Sequence, residues 1–131
     1  MINILIGYDG SKSARNALKL AQDRAKAFNA TVDVITAMVS ANKHQYEDVR
    51  QAELGLEYAK ALLEEGHIHC ETHLLIRGHS PGEEIVQFAE DKQINEIIVG
   101  VKMRSKLGKL LMGSTAQNVI LNAPCPVITI K

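Results

Sequence analysis

The sequence predicts an α/β protein, a single doubly wound domain on a five-stranded parallel sheet with helices on both faces. Two observations carry this. Short β-branched runs alternate along the chain with segments of helical apolar spacing. The length, 131 residues, fits one domain with a real core, and no repeat, low-complexity tract or linker divides it.

The elements follow in order. Ile2, Ile4, Leu5 and Ile6 make the first strand, which Gly7-Tyr8-Asp9-Gly10-Ser11 breaks. Ser11 caps a helix with Ala14, Ala17, Leu18, Ala21, Ala25 and Phe28 on its apolar face, and Asn29-Ala30 ends it. Thr31 to Val39 is a second, β-branched strand. Ser40 to Asp48 is polar, a loop or a frayed helix start. The next helix carries Val49, Ala52, Leu56, Ala59 and Leu63 on one stripe and stops at Gly66. His69 to Arg77 is a third strand of alternating character. Ser80-Pro81-Gly82-Glu83 combines an N-cap, a Pro at the first helical position and a Glu that closes a capping box. That helix runs to about Asp91 with Ile85, Val86 and Ala89 inward. Glu96 to Val99 is the fourth strand. Val127 to Ile130, after Pro124 and Pro126, is the fifth.

The stretch from Gly100 to Thr115 joins the fourth strand to the last helix. It holds Lys102, Arg104, Lys106 and Lys109 with no acid, and Gly100, Gly108 and Gly113. Ser114 reads as the N-cap of the helix that follows, with Gln117 closing a capping box. Helix capping explains Ser114 and Gln117 but not a connector this long, basic and glycine-rich. Free N–H groups, the helix dipole and close backbone approach suit such a loop to phosphate. In doubly wound sheets ligands bind beyond the carboxyl ends of the strands, where strand order reverses. The first and fourth strands are expected to flank that point, so the Tyr8–Ser11 and Gly100–Thr115 loops share one crevice.

The loop resembles that of the universal stress protein family, whose nucleotide-binding members carry G-x2-G-x9-G-[S/T] after the fourth strand. Gly100 matches the first glycine and Gly113-Ser114 the last pair, while Met103 stands at the second glycine. The likeness spans the chain, from Ile4-Leu5-Ile6-Gly7-Tyr8-Asp9-Gly10-Ser11 to Pro124-Cys125-Pro126-Val127-Ile128-Thr129-Ile130. It implies an adenine-nucleotide alpha-hydrolase-like fold with strand order 3-2-1-4-5. It also implies a cytoplasmic stress-response regulator that binds ATP or another adenine nucleotide, with or without Mg²⁺. The implied contacts are Gly7, Tyr8 and Asp9 on one side, Ala37 at the end of the second strand, and Gly100, Val101, Lys102, Met103, Arg104, Gly113, Ser114 and Thr115 on the other. A homodimer through antiparallel pairing of Val127–Ile130 is implied as well. The alternatives are a family member that has lost nucleotide and acts as a dimeric interaction module, and a slow ATP hydrolase or phosphotransferase.

Several residues have two readings. Asp9 is either a turn residue that caps the following helix or a nucleotide contact. Ala37 is either a small packing residue or the backbone that meets the base. If Met103 points away from the crevice, its N–H still serves phosphate; if it points inward, the site is partly filled. Where the backbone needs φ > 0 there, Met is strained, and Gly108 offers another flexible point. His67, His69, Glu71 and His73 alternate along the third strand and share a face, which reads as the solvated end of an edge strand rather than a metal site. His44 and His79 carry no signal.

Composition excludes other classes. Lys+Arg and Asp+Glu are equal at 15 each, and aromatics are only 4% of residues, which argues against a nucleic-acid platform. No apolar run is long enough to span a bilayer, and the first residues have no basic region or small-residue cleavage site. Cys70 and Cys125 fit no disulfide or zinc framework. No nucleophile–base spacing and no G-x4-G-K-[ST] motif is present, so any hydrolysis is expected to be weak.

Overall fold

A computed structural model describes residues 1–41, 46–102 and 112–131. The elements are β1 (Asn3–Gly7), α1 (Lys12–Phe28), β2 (Thr31–Met38), α2 (Tyr46–Glu65), β3 (Cys70–Ile76), α3 (Pro81–Asp91), β4 (Glu96–Gly100), α4 (Ser114–Asn122) and β5 (Val127–Ile130). All strands pair in parallel, in the order β3-β2-β1-β4-β5. The order 3-2-1-4-5 is therefore observed.

Alternation along the strands sorts side chains between two cores. Ile4, Ile6, Val32, Val34 and Ile98 meet α1 and α2 on one face. Leu5, Ile35 and Ile97 meet Ile85, Phe88 and Ala89 of α3 and Val119 of α4 on the other. Gly82 brings α3 close to α4: a Cβ there would lie 2.9 Å from that of Asn118. Arg24 of α1 is held to Glu96 at the start of β4 by two hydrogen bonds, Nε to Oε1 at 2.6 Å and Nη2 to Oε2 at 2.8 Å.

Three helix ends share one device. Asn29, His67 and Gln93 adopt left-handed backbone, with φ of 53°, 59° and 53°. The next residue, Ala30, Ile68 or Ile94, is buried and donates its N–H back to Ala25, Leu63 or Ala89. This closes the last turn in a Schellman arrangement. α2 ends at Glu65, so the stop at Gly66 is observed, but the left-handed position falls one residue later, at His67. His67 consequently lies outside the third strand, and the alternating face predicted for His67, His69, Glu71 and His73 is broken. Phe28 is also corrected. It is half exposed at the end of α1, where the Arg24 guanidinium lies 5.2 Å from its ring centroid.

Candidate functional site

The chain leaves β1 for α1 on one face of the sheet and leaves β4 for α4 on the other. Adjacent central strands that part in this way open a crevice at their carboxyl ends. A cavity of about 240 Å³ occupies it. Gly7, Val99 and Gly100 lie at its base. Tyr8, Asp9, Ser11 and Ser13 border it after β1, and Thr36 and Ala37 at the end of β2. Pro81 and Ile85 bring α3 to it, and Lys102 with Gly113 to Ala116 complete it.

Helix termini differ around this cavity. Ser11 caps α1 by accepting the Ala14 N–H at 3.2 Å. Ser80 and Glu83 form the predicted reciprocal box on α3. The N-cap of α4 is Gly113, which corrects the assignment to Ser114. Gly113 is extended, and its carbonyl accepts the Gln117 N–H at 3.1 Å, so Ser114 is already helical. Gln117 then falls one position too late for a capping box, and its side-chain amide donates to the Met112 carbonyl at 2.7 Å. Among the described residues no side chain caps this helix. Its first turn borders the cavity with a favourable dipole end.

The two described glycines of the motif serve different ends. A Cβ on Gly100 would lie 2.6 Å from the backbone carbon of Ser13, so glycine there lets β4 and α1 approach. A Cβ on Gly113 would meet nothing within 4 Å, and its φ of −64° suits any residue. Among the described residues neither packing nor backbone conformation calls for glycine at Gly113, and glycine leaves space beside the helix terminus.

Asp9 and Lys102 link the two loops. Asp9 Oδ1 accepts the Ser11 N–H at 2.9 Å, a turn that starts α1, and Oδ2 lies 3.5 Å from Lys102 Nζ. Burial pushes the carboxyl up, but the Ser11 hydrogen bonds and the Lys102 charge outweigh it and hold the net value below the ordinary one. The turn reading of Asp9 thus holds, and the same side chain faces the cavity. The Tyr8 ring is core and packs over Gly55, while its carbonyl accepts the Thr36 hydroxyl at 2.6 Å. Burial, with Tyr58 nearby, pushes the Tyr8 phenol up.

The structure therefore brings Gly7, Tyr8, Asp9, Ala37, Gly100, Lys102, Gly113, Ser114 and Thr115 to one cavity. Val101 is placed elsewhere. Its side chain is buried with Val99 and Ala116, and its N–H donates to the Ile130 carbonyl at 2.7 Å. Met103, Arg104, Ser105, Lys106, Gly108 and Lys109, like His44, lie outside the described residues. Sequence reasoning missed Ser13, Thr36, Pro81 and Ile85. The first turn of α1, the register of β2 and the approach of α3 bring these to the crevice.

This geometry agrees with comparison to known proteins. The model of the "Universal stress protein family" matches residues 1–131. The chain belongs to the universal stress protein family. A universal stress protein structure from Archaeoglobus fulgidus is 33% identical, with a TM-score of 0.90 over 100% of this chain and 99% of that one. A universal stress protein from the same organism, in complex with dAMP, is 30% identical with a TM-score of 0.83, over 100% of this chain and 98% of that one. A universal stress protein of Methanocaldococcus jannaschii is 32% identical over 139 residues, 98% of this chain and 81% of the relative.

Proposed function

We propose that this chain binds an adenine nucleotide, ATP or a shorter phosphate ester, and acts as a nucleotide-responsive stress-tolerance regulator in the cytoplasm. The observation that carries the reading is an α4 N-terminus whose N-cap, Gly113, supplies no side-chain cap, with nothing among the described residues within 4 Å of a Cβ placed there. A phosphate seated there accepts from first-turn N–H groups and meets the dipole end. The base and ribose would occupy the rest of the cavity, with Ala37 and Ile85 as apolar walls. The dAMP complex of a universal stress protein 30% identical over the whole chain supports the ligand class. Asp9 is the one carboxylate among the described cavity-lining residues, and Ser11 and Lys102 already engage it. That leaves no second acid for a magnesium ion or a general base, so the reading is binding rather than turnover. Among the described residues no helix is long and apolar enough to cross a membrane.

Mass spectrometry of the denatured, freshly purified protein is expected to release an adenine nucleotide. Titration with ATP and AMP is expected to show binding that Gly113→Val abolishes, with the circular dichroism of the fold unchanged. Equal nucleotide affinity in folded wild type and Gly113→Val would overturn the assignment.

A further inference from the structure

A second cluster stands apart from the cavity, on the sheet face that α3 partly covers. Asp33 of β2 and Glu71 of β3 are register partners, and His73 follows Glu71 by two residues. Strand alternation places all three on one face, because Val32 and Val34 beside Asp33 enter the opposite core. His73 Nε2 lies 2.9 Å from Asp33 Oδ1, and the imidazole packs against Phe88 with ring centroids 4.8 Å apart. The donor atoms of Asp33, Glu71 and His73 all lie within 4.8 Å of one another. Two carboxylates directly opposite on paired strands repel, and one imidazole carries at most one positive charge against them.

We propose that Asp33, Glu71 and His73 form a divalent-cation site of the borderline, zinc-accepting class. An imidazole with two carboxylates suits such an ion, and three protein ligands leave a position for water. Ligand distances of about 2.0–2.2 Å at tetrahedral angles place two donors on one zinc about 3.3–3.6 Å apart. Glu71, exposed on the edge strand, closes the remaining distance of about 1 Å by side-chain rotation. The Asp33–His73 contact is already near the separation of two ligands sharing an ion, which takes the place of the proton between them. Phe88 fixes the ring from the α3 side. None of the three residues lines the nucleotide cavity, so the site stands or falls independently of nucleotide binding.

The test uses the full chain stripped with EDTA and then freed of chelator. Zn²⁺ is titrated in competition with a chromophoric chelator, and Co²⁺ serves as the spectroscopic probe. One tight ion per chain is expected. Glu71→Gln, a substitution on an exposed side chain, is expected to weaken it by about tenfold or more. His73→Asn should shift the Co²⁺ visible band, whereas His69→Ala on the same edge should change neither readout. Equal Zn²⁺ affinity in wild type and folded Glu71→Gln, or equal loss in His69→Ala, would overturn the proposal and leave the cluster as an ion pair.

Discussion

At the scale of single residues, Gly100 and Gly113 divide the labour of one motif. Gly100→Ala forces a Cβ into the Ser13 backbone and is expected to cost about 1–3 kcal/mol in urea denaturation. Gly113→Ser should do the reverse. Serine is a good N-cap, so its hydroxyl takes a first-turn N–H and raises stability by a few tenths of a kcal/mol. The same hydroxyl occupies a donor that the ligand would use, so nucleotide affinity should fall while the denaturation midpoint rises. A midpoint that falls with Gly113→Ser would mean the helix start is already satisfied. The sequence pointed to both glycines, but their different roles were not legible. What distinguishes them is the distance to Ser13, a residue of another element.

At the scale of elements, most of the chain was readable, because apolar periodicity and capping chemistry are local. The cap at Ser11 and the box at Ser80 were legible for that reason. The start of α4 was misread because Gly113 and Ser114 are both acceptable caps and adjacent, and only backbone geometry separates them. The stop of α2 at Gly66 was legible, but glycine is the expected left-handed residue, and here His67 holds that conformation. Burial of the following Ile68 anchors the turn there. Non-glycine residues in left-handed backbone are strained, which makes these ends improvable. Gln93 is exposed on the surface and caps α3 in this conformation. Gln93→Gly is expected to raise stability by about 1 kcal/mol, read as a higher denaturation midpoint with an unchanged slope. A drop in the midpoint would show that chain entropy outweighs the relieved strain.

At the scale of the whole molecule, strand order came from family resemblance, since periodicity does not say which strands are neighbours. The register that brings Asp33 to His73 was likewise invisible. The sheet has two edges, β3 and β5. Pro126 and Ile130 direct their carbonyls to β4, so the alternate residues Val127 and Thr129 turn their backbone groups to the open edge. We propose that this edge pairs antiparallel with a second copy, as family resemblance implies. Thr129→Pro removes an edge donor without breaking a bond to β4. Sedimentation is expected to show a dimer for wild type and mostly monomer for a folded Thr129→Pro. A monomeric wild type at micromolar concentration would refute the pairing. Antiparallel joining also turns the carboxyl ends of the two sheets in opposite directions. The two cavities then open at opposite ends of one continuous sheet and share no wall. Each would fill without regard to the other, giving a hyperbolic isotherm with one ligand per chain and a Hill coefficient of about one.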